Sequence, residues 1–269
     1  MIRTLRALPT LLRIGVAETV AYRAEFLVWI LTTTLPLVML ALWTSVASEA
    51  PFRSPFREYT AADFVAYYLA TLIVRNLTGT WVAWQVSEEV RMGSMSMRLL
   101  RPLHPFVAFA ASHLAAVPFR SLVALPIAAV LLLGSGASAL TREPLQLGLI
   151  VPSLVLAWLI TFSVQFALGA LAFFVTKTMA LLSLHFLLFS LFSGYLLPND
   201  LLPGWIADAA RVLPFRYMLG VPVELMTRPL PLGELQHMML GQVVWAAAGL
   251  TAALWTWRLG VRHYEAVGG

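Results

Sequence analysis

Cysteine is absent from this sequence, which excludes disulfides, thiolate metal ligands and a cysteine nucleophile together. Charge is also scarce. Only 12% of the 269 residues are charged while 60% are hydrophobic, against about 25% charged in an ordinary soluble domain. With a mean hydropathy of +0.82, such a chain cannot cover a water-facing surface, so a soluble enzyme and a disordered chain are both excluded.

The residue sets of intramembrane catalysis are missing as well. There is no H-E-x-x-H, and His104, His113, His185, His237 and His263 are scattered over separate segments, which argues against a zinc site. Gly134-Ser135-Gly136-Ala137-Ser138 reads as ordinary turn chemistry rather than a serine nucleophile. Asp200 and Asp208 read as caps or solvated ends of short helices rather than a catalytic carboxylate pair. A phosphate-binding loop needs glycine directly before its lysine, and Thr176 precedes Lys177. ATP hydrolysis by this chain is therefore not expected, and neither is a cofactor or metal of its own.

What the sequence does hold is hydrophobic runs. A helix needs about 20 residues to cross a bilayer core, and six stretches meet that length: 24–47, 61–86, 106–133, 145–175, 178–197 and 240–259. The expectation is an all-α polytopic membrane protein with six transmembrane helices in one domain, residues 1–269. With the N-terminus inside, Arg3, Arg6, Arg13, Arg23, Arg91, Arg98, Arg101, Lys177, Arg258 and Arg262 fall on the inner side. Fewer positive charges, Arg53, Arg57, Arg142, Arg211, Arg216 and Arg228, fall outside, half of them in one long loop. That asymmetry places both termini in the cytoplasm. It also accounts for the net charge of +5 without a nucleic-acid partner.

Three segments outside the spans are distinctive. Residues 1–22 put Leu5, Leu8, Leu12 and Val16 on one helical face and Arg3, Arg6 and Arg13 on another, the pattern of a helix lying in the headgroup plane among membrane lipids. Residues 87–101 form a cytoplasmic loop rich in charge and methionine. Residues 198–238 are apolar runs punctuated by prolines, which suggests short helices that dip into the outer leaflet and return. The tryptophans Trp81 and Trp84, and Trp255 and Trp257, read as interfacial anchors near the inner ends of spans.

The order of these parts resembles the permease of ABC-2 type exporters in bacteria. The resemblance covers essentially the whole chain and rests on three stretches. One is Glu89-Val90-Arg91-Met92-Gly93-Ser94-Met95 followed by Leu99-Leu100-Arg101-Pro102; another is Leu197-Pro198 through Leu213-Pro214-Phe215-Arg216-Tyr217; the last is the tail from Arg258 to Gly269. The resemblance implies residence in the bacterial inner membrane and an exporter built from two permease copies, or this permease and a homologue. It also implies a cytosolic ABC ATPase dimer that binds the ATP and Mg.

Residues 87–101 are then the expected contact with that ATPase. Glu88 and Glu89 favour a helix N-terminus electrostatically. Met92, Met95 and Met97, beside Gly93, offer a soft surface, and Arg91 and Arg98 can pair with acidic groups or lipid phosphates. Within the spans, Arg75, Asn76 and His185 are costly in lipid and carry a default functional hypothesis. The resemblance places them along the route between permeases; interhelical hydrogen bonding that merely holds the bundle is the other reading. An ion-coupled transporter would require midplane carboxylates, yet Glu25 and Asp63 sit at span ends. A lipid-modifying enzyme would require clustered carboxylates or histidines, and none is present. The transported substrate is not legible from these residues.

Overall fold

The computed structural model describes residues 10, 35–49, 52–54, 58–135, 137–175 and 178–264. The expected interface helix at 1–22, except for Thr10, lies outside them, as do the start of the first span, Lys177 and residues 265–269. Among the described residues the regular structure is helical apart from an antiparallel pair of two-residue strands, Phe52–Arg53 with Glu58–Tyr59. In order the helices are α1 (Leu35–Glu49), α2 (Ala61–Thr78), α3 (Val82–Arg91), α4 (Met95–Leu99), α5 (Pro105–Ser135) and α6 (Pro144–Ala170). They continue with α7 (Thr178–Phe192), α8 (Gly204–Val212), α9 (Pro214–Met218), α10 (Gly220–Thr227) and α11 (Leu232–His263). Among the described residues, two helical runs are long and apolar enough to cross a membrane, Pro144–Phe173 and Leu232–His263; Leu35–Glu49, Pro105–Pro118 and Thr178–Phe192 are shorter apolar stretches.

Local chemistry sets several boundaries. Thr60 and Asp63 form a reciprocal capping box that starts α2, satisfying two backbone donors that have no partner within the helix. The 61–86 stretch is not one helix. Gly79 turns extended after α2, and α3 restarts at Val82, whose N–H donates to Thr80 Oγ1 at 3.3 Å. The 178–197 stretch is helical only to Phe192, and Gly194 follows in a left-handed conformation (φ +86°) that favours glycine. At the other end Pro231 precedes α11, so the last helix begins at Leu232 and the expected outer segment shortens.

The longest interface in the bundle is α6 against α11. Gln242 of α11 is fully buried there and donates from Nε2 to Ser153 O (3.2 Å) and Tyr217 O (3.0 Å). Helices α3 and α6 also meet closely: a Cβ at Gly169 would lie 2.8 Å from Ala83 O. Two main apolar cores result. One packs Val74, Ile160, Phe189 and Ala246 with the buried residues of α9 and α10; the other packs Val82, Val86, Val90 and Met95 with Phe109, Phe162, Phe166 and Trp257. Trp257 therefore departs from its expected role as an interfacial anchor: it is 4% exposed, against 63% for Trp255. Two residues apart on a helix is about 200° of rotation, so the pair cannot share a face.

Candidate functional site

The segment 87–101 is a helical hairpin rather than an open loop. Helix α3 starts inside the bundle, its Val82, Val86 and Val90 buried against α6, and carries on to Arg91. The chain then reverses through Gly93, whose φ of +74° a side chain would strain, and returns as α4. Glu89 and Arg98 clasp the two arms with a bidentate pair, Arg98 Nε donating to Glu89 Oε2 at 2.7 Å and Nη2 to Oε1. The Arg98 guanidinium also lies 4.0 Å from the Phe109 ring centroid, which fixes the hairpin to α5. Tyr264, at the end of α11, donates to Gly93 O at 3.0 Å. Three elements thus brace the turn.

This geometry divides the residues expected to make one contact surface. Met92 and Met97 are 71% and 67% exposed and Leu100 is 79% exposed, so open apolar side chains stand at the tip among the exposed Arg91, Ser94 and Arg101. Met95 does not belong to that surface: it is fully buried in the core with Val90 and Phe109. Four residues from Arg91 and two from Met97, it falls on the inward side of the short return helix. Arg98 and Glu89 are committed to each other, while Arg91 and Glu88 form a looser, exposed pair at 3.4 Å.

Arg75 and His185 come together across one ring. The Arg75 guanidinium lies 5.2 Å from the centroid of Phe189 and 5.9 Å from that of Tyr195. The His185 ring lies 6.5 Å from Phe189 and 5.7 Å from Phe215. Because α2 stops at Thr78, Arg75 occupies its last turn, where the helix dipole favours a cation. Its neighbour Val74 packs with Ile160 and Ala246, residues near the middles of α6 and α11, so the charge stands at mid-depth in the bundle. Asn76 is not brought to the same ring. It is 1% exposed and donates to Leu72 O at 2.8 Å, and its Oδ1 has no partner among the described residues.

Two polar clusters were not foreseen from the sequence. At the α2–α3 break, His113 of α5 meets Thr80 Oγ1 through Nδ1 (3.1 Å) and Gln85 Oε1 through Nε2 (2.9 Å), pinning the interruption from both sides. Around α9 and α10, Arg216 donates from Nε and Nη2 to the two Glu224 oxygens at 3.1 and 2.8 Å, both residues buried. Arg228 shares Glu224 (2.6 Å) and adds Glu234 (2.5 Å) and Asp200 (4.0 Å). Asp200, expected to cap or solvate a helix end, instead joins this network and accepts from Tyr59 Oη at 3.4 Å. Asp208 does stay outside it, on an exposed pair with Arg211. Burial alone would raise the Glu224 carboxyl, but Arg216 and Arg228 outweigh it and hold the group down at about 2. Asp200 moves the other way, raised by burial and by the Glu224 charge beyond what Arg228 and Arg216 offset. The signal for the network was present: Glu224 and Arg228 stand one helical turn apart in an otherwise apolar stretch.

Chemically, none of these arrangements is a nucleophile–base pair, and no group of three or more His, Asp or Glu among the described residues could hold a metal ion. They can clasp, pivot and attract charge. A family model described as ABC-2 family transporter protein matches residues 34–268. No curated protein matches the chain.

Proposed function

Because the chain belongs to the ABC-2 transporter family, a family of ABC-transporter membrane permeases, we propose that it is the permease subunit of a bacterial ABC exporter. In this reading two permeases, identical or homologous, form the substrate route across the inner membrane. Six spans cross the bilayer, both termini are cytoplasmic and lipids surround the bundle. A separate cytosolic ATPase dimer binds ATP and Mg, and the permease itself makes and breaks no covalent bond and binds no cofactor.

The observation that carries the reading is the braced hairpin with open apolar side chains at its tip. Met92, Met97 and Leu100 are exposed at the end of a projection whose base is packed into the bundle. A motor needs such a rigid projection if closure of its own subunits is to move helices rather than bend a loop. Methionine suits the tip because its side chain repacks as the partner changes shape. The Glu89–Arg98 clasp, the Arg98–Phe109 contact and the Tyr264 bond keep the tip from folding away. Displacement would pass along α3 to the break at 79–81, where His113 ties the break and the start of α3 to α5.

The test is co-purification in mild detergent from native membranes. The wild-type chain is expected to recover a nucleotide-binding subunit encoded beside it. A Met92→Asp/Met97→Asp double substitution, both at exposed positions, should cut that recovery by about tenfold or more, since each places a charge in an apolar contact. A folded wild-type chain that recovers no such subunit overturns the reading.

A further inference from the structure

Arg75 stands apart among the arginines whose side chains are described. Arg91, Arg98, Arg211, Arg216 and Arg228 each pair with a carboxylate, and Arg101, Arg142, Arg258 and Arg262 are exposed. Arg75 is half-buried at mid-depth and pairs with no carboxylate among the described residues. Its companions are two aromatic faces and the neutral Tyr195 hydroxyl. The end of α2 supplies at most about half an elementary charge of opposite sign. The described residues leave the remaining positive charge unmatched, in a medium where unmatched charge is costly.

The surroundings supply spare polar capacity on one side and apolar surface on the other. His185 makes no hydrogen bond to the described residues, and Ser193 Oγ is fully buried without a partner among them. His185, Phe189 and Ser193 are spaced four apart, and Ser193 N continues the helical pattern by donating to Phe189 O at 3.0 Å. They form one stripe of α7 that Arg75 meets at Phe189. On the same helix Leu184, Phe186 and Leu187 are exposed. A discontinuous helix beside them is the kind of backbone that membrane proteins keep for wet or ligand-lined sites.

We propose that Arg75 receives the anionic group, a phosphate or carboxylate oxyanion, of an amphiphilic cargo. His185 serves as a second donor, and the exposed apolar side of α7 takes the cargo's hydrocarbon chain. Arginine fits this role because its planar fork donates two parallel hydrogen bonds to an oxyanion while its faces stay stacked on rings. This rests on the transporter reading and deepens it by naming a substrate class.

The experiment uses the purified full-length chain in non-ionic detergent with fluorescent phosphatidylglycerol, and the same fluorophore on phosphatidylcholine. The wild-type chain is expected to prefer the anionic probe by about tenfold or more, the gain of one charge-assisted contact. Arg75→Gln removes most of that preference, Arg75→Lys keeps part of it, and His185→Gln weakens it a few-fold. Anionic binding shared equally by wild type and Arg75→Gln belongs to the basic segments, and if that is all the binding there is, the proposal fails. Should Arg75→Gln not fold, wild type still decides: equal affinity for the two probes overturns the proposal. Displacement by millimolar inorganic phosphate would assign the site to a free anion and overturn the amphiphile. Any of these failures leaves ATPase recovery untouched, whereas a chain that recovers no ATPase refutes the transporter reading whatever it binds.

Discussion

The bundle withdraws arginine from water in two places and treats the charge differently in each. Around α9 and α10, Arg216 and Arg228 are surrounded by Glu224, Glu234 and Asp200, with bidentate geometry and one carboxylate shared between two guanidinium groups. At mid-depth, Arg75 has rings in place of carboxylates. The first arrangement is closed: every charge has its counter-charge within the fold, so its work is to hold α9, α10 and the start of α11 together. The second is open, and an open charge is useful only if something arrives to meet it. A buried ion pair and a half-buried cation with no carboxylate among the described residues thus point to opposite roles, structure in one case and recognition in the other.

The largest effect expected follows from breaking the closed network. Glu224→Gln strands the buried Arg216 and takes one of three carboxylates from Arg228, a loss of about 3–5 kcal/mol, read as a marked fall in the thermal unfolding temperature in detergent. Arg75→Gln is its counterpart and should change stability by about 1 kcal/mol or less, because it loses ring contacts and a neutral hydroxyl partner but breaks no ion pair. If Arg75→Gln melts as early as Glu224→Gln, the contrast collapses and Arg75 is a structural residue.

Arg98→Ala tests a third, half-buried arginine. It releases the hairpin clasp and should lower ATPase co-recovery severalfold while leaving the unfolding temperature of the bundle within a few degrees, since the pair is partly solvent-screened.

The network also gives a pH dependence with two signs. Glu224 has its folded value depressed to about 2. Its contribution is therefore present above the ordinary glutamate range near 4.3 and is lost as pH falls towards about 2. Asp200 has a raised folded value, so what it contributes is present below the ordinary aspartate range and lost as pH rises through that raised value. Asp200→Asn should accordingly stabilise the chain slightly at neutral pH and give no such gain at acid pH, in unfolding scans at both. This is the smallest of the expected effects.

Much of this was legible in the residues, for physical reasons. A long apolar run has few options in a chain this poor in charge, so α5, α6 and α11 fall where hydropathy puts them. The hairpin position followed from being the charged stretch between two such runs. Breaks were not legible. Hydropathy does not register Gly79 turning extended, because Thr80 and His113, far apart in sequence, supply the polar partners that make the turn tolerable. Nor could composition separate Met95 from Met92 and Met97, since a return helix of one turn and a half has too few residues for a periodic signal. In the sequence Arg211, Arg216 and Arg228 served only as a charge count for topology; their pairing depends on α9 and α10 folding inward, which places Arg216 beside Glu224. Arg75 and His185 were chosen one by one, as polar groups in lipid; only the packing of α7 against α2 shows them sharing Phe189.

The absence of cysteine allows a direct test of the central claim, that the hairpin tip is where an ATPase docks. Single cysteines introduced at Met97, Leu100 and the buried Met95 give three otherwise identical chains for zero-length or short-arm cross-linking in native membranes. The account predicts cross-links to a nucleotide-binding subunit from positions 97 and 100 and none from 95. Cross-links from all three, or a folded chain that captures no nucleotide-binding subunit from any of them, would contradict it.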